Sequence, residues 1–428
     1  MAVTLARPAP GRRAGTTPEL LLAALAIAVV FAAALILPMP FWQARPAGPP
    51  AAAAASTSTG IGWPGVVLGL GFALVLCLPL RPYSLALGVA ECVSPRLVLG
   101  LTGLLALTAL LIFPGFGSDL FVYLDYERLW VVYGANPLLA APALHPEDWA
   151  FPFTWIPAQP SPYGPLWPLL TWAIVRLAGD DLWASIIGYK LLALASYVAC
   201  GALVWASTAP AQRQRALVLF AWSPLVLFET LGKAHNDGLL AVAALTAVWI
   251  ARRDQPALGL LAATAGALIK VSGLAVVLGL AAWLVHQRRW RDLAAGTAAS
   301  AGLTVVLYAP FWVGPESLLP ILVQTSRVVW SPGSLLIAAS GWLGSGAVEA
   351  IARPLVVVAP VETLVRVLLV VTFGAACAVL ACRRRPFPVL AAGLLLATLL
   401  LLTTAFFAHY LVPVIALAAL AGDRHLDR

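Results

Sequence analysis

The residues with the clearest potential for chemistry form a short acidic stretch, residues 115–167, in an otherwise apolar chain. Charged residues make up only 10% of the 428 residues, so their concentration here needs a reason. The titratable residues of this stretch are Asp119, Asp125, Glu127, Arg128, His145, Glu147 and Asp148. A carboxylate held in place can take a proton from a reacting hydroxyl. We therefore expect the stretch to form the polar floor of a catalytic chamber.

Asp119 is the strongest candidate for a general base, because it follows directly on an apolar run in the sequence Gly-Phe-Gly-Ser-Asp. The alternative is structural, since Ser and Asp ahead of an apolar helix commonly cap its free N–H groups. Asp125 lies nearly two turns further along, where pairing with Arg128 at i+3 would be structural. On the residues alone, both roles stay open for Asp119.

Two motifs rich in glycine and proline follow the helix that is predicted after Asp119. Residues 133–137, YGANP, end that helix, with glycine as the stop and proline as the breaker. Residues 161–167, SPYGPLW, hold a rigid backbone that presents Tyr163. An aromatic belt at a membrane interface would use the same residue types. The functional alternative is a loop shaped against a sugar, for which aromatic faces are suited.

Polar residues interrupt apolar runs again later in the chain. Lys233 precedes the run His-Asn-Asp at a junction between two apolar segments, and Lys270 breaks another segment in Leu-Ile-Lys. A lone histidine at a helix end is usually structural and a lysine can snorkel. Each charged group at membrane depth, however, costs about 2.5–3.5 kcal/mol on insertion scales. We therefore favour a functional role for the His-Asn-Asp set, and Lys270 is suited to bind a phosphate. Lysine occurs only at Lys190, Lys233 and Lys270, a placement expected if lysines meet an anion.

The elements that position these residues are membrane-spanning helices. The chain is 61% hydrophobic with a mean hydropathy of +0.93, and its apolar runs are long enough to cross a hydrocarbon layer of about 30 Å. The formal charge of +8 suits anionic headgroups, and we expect no nucleic-acid partner, because no basic stripe is interleaved with aromatics. The five cysteines lie mostly in apolar runs without CxxC spacing and are interpreted as small hydrophobic residues.

Arginine placement predicts an all-α, polytopic bundle of about twelve transmembrane helices with both termini in the cytoplasm. Residues 166–177 are the exception, a helix lying in the outer interface, since otherwise every later basic cluster would face outward. The predicted spans are 20–37, 63–80, 98–113, 187–206, 216–231, 239–250, 258–269, 274–285, 293–312, 361–382, 389–402 and 411–420. The predicted organisation is a cytoplasmic tail (1–19), a transmembrane domain (20–421) containing a large outer catalytic loop with interfacial helices (114–182), and a cytoplasmic tail (422–428).

The order of these motifs resembles the bacterial polyprenol-phosphate-mannose-dependent mannosyltransferases of the GT-C fold. The shared features are an acid after an early odd span, then G-x-N-P, SPYGPLW, His-Asn-Asp and Leu-Ile-Lys. The resemblance covers about residues 98–285 and the ending His409-Tyr410. One departure is Lys233-Ala234, where the family often has Gly-Gly. The resemblance implies a multi-pass protein of the cell membrane with an extracytoplasmic active site.

The reaction implied by the resemblance is one in-line displacement at the anomeric carbon, with inversion, in which Asp119 takes the proton of the acceptor hydroxyl. The partners implied are a polyprenyl-phosphate sugar, a glycan or glycolipid acceptor and membrane lipids. We expect no cofactor, because the lipid-linked donor is itself the substrate, and no metal, because no ligand cluster in the sequence demands one. The donor phosphate leaves as a stable anion, so no general acid is needed. The residues expected to bind the donor phosphate are Lys270, Lys233 and His235. The residues expected to bind sugar or acceptor are Tyr123, Asn136, Tyr163, Asn236, Asp237, His409 and Tyr410.

Three alternatives remain on sequence grounds. A transporter or lipid flippase also buries polar groups and breaks its helices, but it predicts an internal repeat, which this sequence does not show. A structural membrane subunit does not explain the acidic outer loop. The third alternative lies within the enzyme class: transfer of a sugar other than mannose, such as arabinose or an aminosugar, from polyprenyl phosphate.

Overall fold

The computed structural model describes residues 16–33, 74, 77–115, 118–154, 156–318, 371–372, 374–375, 387–397 and 407–421. All regular elements in these ranges are helical, which confirms the predicted helical class. The helices of the first half are α1 (Thr16–Phe31), α2 (Leu80–Val89), α3 (Pro95–Leu110), α4 (Asp119–Val131), α5 (Leu166–Ala178), α6 (Leu182–Ser207) and α7 (Arg213–Ala221). The helices of the second half are α8 (Pro224–Gly232), α9 (Asp237–Ala251), α10 (Pro256–Ala267), α11 (Leu274–His286), α12 (Trp290–Tyr308), α13 (Phe387–Ala397) and α14 (Val412–Ala421).

Two helices in the described ranges are long and apolar enough to cross a membrane. They are Leu182–Ser207 and Trp290–Phe311, with 26 and 22 residues. A third span is formed if α7 and α8 count as one helix, bent by 51° where Pro224 interrupts it. The other apolar helices are shorter. The count of twelve stays a prediction, and the spans at 63–80 and 361–382 lie mostly outside the described residues.

The bundle is organised around α9, which packs against α6, α10 and α14. Small residues allow these helices to approach closely. A Cβ at Gly238, at the start of α9, would lie 2.5 Å from the Ser196 Oγ of α6. The first residues of α9, which include Asp237, are thereby held next to the middle of α6, within the protein interior.

The predicted outer loop, residues 114–182, differs from the predicted interfacial arrangement in one respect. Residues 120–129 of α4 are all buried, including three charged side chains, so this helix is enclosed by protein rather than resting on a membrane surface. The loop that follows α4 folds back over this helix and is called the covering loop. It contributes Phe153, which stacks on Phe121 with ring centroids 5.6 Å apart. By contrast, α5 buries one face and exposes Trp172 and Leu177. It has 13 residues and measures about 20 Å. Helices predicted as spans, such as α10 and α11, are no longer than this, so its place as a non-crossing helix stays a prediction.

Candidate active site

The ends of several helices meet at one buried polar cluster. It is formed by the start of α4, the SPYGPLW loop, the end of α8 and its junction with α9, the short segment between α10 and α11, and the turn before α14. The side chains that these elements contribute are Asp119, Tyr163, Glu229, His235, Asp237, Lys270 and His409. Residues far apart in sequence, all predicted on the outer side, are therefore neighbours in space.

The SPYGPLW loop is fixed by its backbone. The Gly164 N–H donates to the Ile269 carbonyl and the Leu166 N–H donates to the Leu268 carbonyl, both at 3.0 Å. A Cβ at Gly164 would lie 2.3 Å from the Leu268 oxygen, so only glycine permits this approach. The loop is thus attached to the segment that leads into Lys270, and Tyr163 is brought to Asp119.

Asp119 is the first residue of α4, with Ser118 at the N-cap position. The Ser118 side chain makes no capping hydrogen bond. The Tyr163 hydroxyl donates to Asp119 Oδ2 at 3.3 Å, and the His409 Nε2 lies 3.8 Å from the same oxygen. The Asp119 side chain is 16% exposed, more than its partners. Its carboxylate is therefore held by neighbours in the cluster, remains accessible, and lies where the helix dipole stabilises negative charge.

Two histidines stack beside Asp119. The rings of His235 and His409 have centroids 3.9 Å apart. Glu229 Oε2 lies 2.8 Å from the Nδ1 of His235 and 4.0 Å from the Nδ1 of His409. Sequence reasoning missed Glu229, although a lone carboxylate in the apolar run Val-Leu-Phe-Glu-Thr-Leu is the same kind of signal that identified the neighbouring His-Asn-Asp set.

Lys270 forms a buried ion pair with Asp237. Its ammonium donates to the two carboxylate oxygens at 2.8 and 3.0 Å, and the side chains are 3% and 1% exposed. The ammonium also lies 4.0 Å from the centre of the Tyr410 ring. A phosphate bound beside Lys270 would therefore lie near an ammonium whose charge is already balanced by Asp237.

The junction between α8 and α9 has an unusual backbone. Leu227–Gly232 form a π-helix, a rare form that occurs often at functional sites. Ala234 follows with a φ of +58°, a conformation that favours glycine, at the position where the resembled family often has glycine. This geometry turns the chain so that Glu229 and His235 face each other.

Four predicted site residues lie at the edge of the cluster or apart from it. Tyr123 is fully buried, packs edge-on against Tyr163 and points its hydroxyl at the Asn236 N–H, 3.3 Å away. The Asn236 side chain lines a cavity of about 10 Å³, room for about one water rather than a sugar. Asn136 donates to the Phe311 carbonyl at 2.7 Å and accepts from the Leu138 N–H, bonds that join two loops. Lys233 is partly exposed, with its ammonium 5.2 Å from the Phe228 ring centre.

Lys190 does not face the cluster as a free cation. Its ammonium donates to four backbone carbonyls at 2.7–3.0 Å, at the ends of α3 and α8. These are carbonyls that helix ends leave without partners. The interpretation that all three lysines are placed to meet an anion is therefore wrong for Lys190, which joins two helix termini.

A second group of charged side chains lies within the predicted outer loop, residues 114–182. Arg128 pairs with Asp148 at 2.8 Å and with Asp180 at 2.8 Å, so the predicted partnership with Asp125 at i+3 is wrong. Burial, and secondarily the charge of Asp148, raises the pKa of Asp125 to about 7. Burial raises the pKa of Glu127 to about 8. The pair of Arg128 and Asp148 connects α4 to the loop that follows it.

Three residues of the cluster are also arranged as a possible cation site. The candidate ligand atoms of Asp119, His235 and His409 lie within 4.8 Å of one another. No ligand spacing in the sequence indicates such a site, because the three residues are separated by more than a hundred positions from one to the next.

Comparison with known proteins identifies the family of the chain. Residues 12–287 match the family described as alpha-(1->6)-mannopyranosyltransferase, N-terminal domain. An alpha-(1->6)-mannopyranosyltransferase of Mycobacterium tuberculosis is 30% identical over 150 residues, which are 33% of this chain and 24% of the relative. Alpha-(1->6)-mannopyranosyltransferase A of the same organism is 26% identical over 216 residues, 48% of this chain and 41% of the relative. The matched regions thus cover less than half of each relative, and no solved structure matches. Because the family match spans well over half of the sequence, the chain belongs to the alpha-(1->6)-mannopyranosyltransferase family.

Proposed function

We propose that this protein transfers mannose from a polyprenyl-phosphate donor to a hydroxyl of a glycan or glycolipid, with inversion and with Asp119 as the general base. The observation that carries the proposal is the position of Asp119. It is the most accessible carboxylate of a cluster whose other acidic members are nearly sealed, with Glu229 at 9% and Asp237 at 1% side-chain exposure. An acceptor hydroxyl has room to approach this carboxylate and give up its proton.

The proposed step is a single displacement. The acceptor oxygen forms a bond to the anomeric carbon while the bond from that carbon to the phosphate oxygen breaks. The acceptor proton passes to Asp119, and the electron pair of the broken bond stays on the phosphate. Tyr163 keeps the carboxylate in place through its 3.3 Å hydrogen bond, and such positioning is a large part of catalysis.

The leaving phosphate needs positive charge near it. Lys270, Lys233 and His235 are the proposed donors of that charge. Lys233 has the most freedom to move, since it is partly exposed and its ammonium lies against a phenylalanine ring. Lys270 contributes as one half of its pair with Asp237. The remaining proposed contacts to sugar or acceptor come from the aromatic and polar residues around Asp119.

An apolar groove supports a lipid-linked donor. It has a volume of about 720 Å³ and runs between α3 and α6, lined by Leu99, Leu110 and Val198 among others. Its polar side chains are satisfied internally, since the Thr102 hydroxyl donates to a backbone carbonyl at 2.8 Å and the Tyr197 hydroxyl donates to another at 2.8 Å. Such a wall presents hydrocarbon to a ligand. The end of the groove at Leu110 adjoins the helix termini that Lys190 joins, next to the α8–α9 junction.

In this proposal the protein is a multi-pass protein of the cell membrane, and the cluster opens on the extracytoplasmic side. The sidedness is supported by the arginine distribution and by the convergence of several described elements that this distribution places outside, namely the start of α4, the α8–α9 junction and the segment before α14. The donor reaches the cluster from within the bilayer, and the acceptor reaches it from the outer aqueous phase.

The test is the variant Asp119→Asn, assayed in membranes with radiolabelled polyprenyl-phosphate mannose and candidate glycan acceptors. We expect transfer to fall by at least about 10²-fold, the lower range of general-base contributions, with normal expression and insertion. The matched control is Asp254→Asn, because Asp254 is exposed and its φ of +60° is one that asparagine tolerates. Full activity of Asp119→Asn would remove Asp119 as the base. Transfer only from a donor carrying another sugar would overturn the assignment of mannose.

A further inference from the structure

The buried cluster around Asp119 holds more negative than positive charge. Its titratable members are Asp119, Glu229, His235, Asp237, Lys270 and His409. Three carboxylates face one ammonium, which gives a formal charge of −2 for these four groups before either histidine is counted. Buried charges without a partner are strongly unfavourable. The cluster therefore needs further positive charge.

The nearest further lysine does not supply that charge directly. Lys233 is partly exposed and directs its ammonium to the Phe228 ring, 5.2 Å from its centre. A donor phosphate would increase the deficit of positive charge, because it brings additional negative charge to the same place. The described side chains around the cluster therefore supply less positive charge than the cluster needs.

The position of the His409 ring indicates where a cation fits. Its Nε2 is buried and has no hydrogen-bond partner. It lies 3.8 Å from Asp119 Oδ2 and 3.9 Å from Asp237 Oδ2, beyond hydrogen-bonding distance. Asp237 Oδ2 is already paired with Lys270, so the His409 Nε2 and the Asp119 carboxylate are the atoms of this group left to bind an ion.

Glu229 lies on the Nδ1 side of both histidines, although neither contact has hydrogen-bond geometry. Its Oε2 approaches the Nδ1 of His235 at 2.8 Å and the Nδ1 of His409 at 4.0 Å. Histidines that bind metals almost always direct their other ring nitrogen at a carboxylate or carbonyl, which fixes the ring and its tautomer. With Nδ1 turned to Glu229, each ring keeps Nε2 for a metal.

We propose that Asp119, His235 and His409 bind one divalent cation of the Mn²⁺ or Zn²⁺ type. The candidate ligand atoms lie within 4.8 Å of one another, and metal bonds of 2.0–2.2 Å need them roughly 3.4 Å apart, a closure that side-chain rotation supplies. Imidazole with carboxylate suits these metals, whereas Ca²⁺ and Mg²⁺ prefer oxygen ligands alone. The charge of +2 balances the cluster. Metal binding does not depend on the transfer reaction. A role in holding the donor phosphate rests on the proposed function, with one Asp119 oxygen on the cation and the other left to take the acceptor proton.

The test is a Mn²⁺ titration of the purified full-length protein, stripped with a chelator and reconstituted in lipid nanodiscs, with free Mn²⁺ followed by electron paramagnetic resonance. We expect one saturable site, displaced by Zn²⁺. His409→Gln removes a ligand and Glu229→Gln removes the carboxylate on the Nδ1 side of both histidines. Each is expected to weaken binding by about 10–100-fold or more. The control is His145→Gln, since His145 forms a separate, more exposed pair with Glu147, and its affinity should equal that of the unaltered protein.

Thermal unfolding provides a second measurement that keeps the test decisive. Mn²⁺ should raise the melting temperature of the unaltered protein and of His145→Gln, and should raise it less in Glu229→Gln. If no saturable site is found, or if His145→Gln and Glu229→Gln bind equally, the cation site is wrong. Transfer that survives complete chelation would refute a role of the cation in holding the donor phosphate while leaving the proposed reaction intact. Metal binding without transfer from any polyprenyl donor would refute the reaction and leave the site.

Discussion

Substituting alanine for Gly164 tests how the SPYGPLW loop is held at the cluster. The added Cβ would lie 2.3 Å from the Leu268 oxygen and 2.7 Å from its carbonyl carbon. Real Cβ atoms essentially never approach other heavy atoms within 3.0 Å, so the two segments must separate by at least 0.7 Å, the difference between 3.0 and 2.3 Å. The opposing atoms are backbone, so no side-chain rotation relieves the contact.

The consequences can be estimated from the bonds that the separation strains. Two backbone hydrogen bonds join the loop to residues 268–269, and each contributes about 1 kcal/mol. The same displacement moves Tyr163 relative to Asp119, whose 3.3 Å hydrogen bond is already long. A misplacement of about 1 Å can reduce catalysis by about 10²-fold. We therefore expect kcat to fall by about 10–100-fold while the protein still folds.

The assay compares initial transfer rates of Gly164→Ala and Gly88→Ala in nanodiscs, with labelled donor in excess. Gly88 is the matched control, because it is exposed on α2 and a Cβ there meets nothing within 4 Å. Alanine in a helix is favourable by up to about 1 kcal/mol relative to glycine, so Gly88→Ala should keep full activity and stability. If Gly164→Ala retains more than half of the original rate, the close backbone approach does not position the reacting groups.

Two further predictions concern buried charges away from Asp119. The folded-state pKa of Glu127, about 8, lies above its ordinary value of 4.5, so ionisation opposes folding and stability is lost as the pH rises through this interval. Glu127→Gln should therefore be more stable than the original protein at pH 8, by roughly 3–5 kcal/mol, with little difference near pH 4.5; thermal unfolding with the same pH dependence for both would contradict this. Lys190→Met leaves four helix-terminal carbonyls without their donor, so thermal unfolding should show a loss of about 3 kcal/mol or more. Normal stability with selective loss of donor binding would instead support an anion-binding role for Lys190.

The helical class and the composition of the cluster were predictable because they follow from local signals. Apolar runs predict helices, and isolated charges between them mark positions where burial needs a reason. Asp119, His235, Asp237 and Lys270 were singled out in this way, and His409 through the family resemblance. Arginine placement then assigned their helix ends to one side, and the structure brings the same ends together.

The partners of these residues were not predictable because they are set by contacts between distant elements. Arg128 has a carboxylate three residues away, yet it pairs with Asp148, twenty residues away, because the covering loop folds back over α4. Lys190 reaches carbonyls on two other helices. The π-helix at Leu227–Gly232 has no periodic signature in an apolar run, so neither it nor the orientation it gives Glu229 could be inferred.

The cluster is held by mutual contacts rather than by any one element. Tyr163 reaches Asp119 from a loop whose backbone is bonded to residues 268–269, and Lys270, the next residue, is paired with Asp237. A substitution of one member therefore displaces another member or leaves its charge without a partner. Removing Lys270 alone would leave Asp237 as a buried unpaired carboxylate, and the effect measured would combine lost phosphate binding with that penalty. Effects of single substitutions in such a network do not add, so the role of each group is established only by comparing single with paired changes.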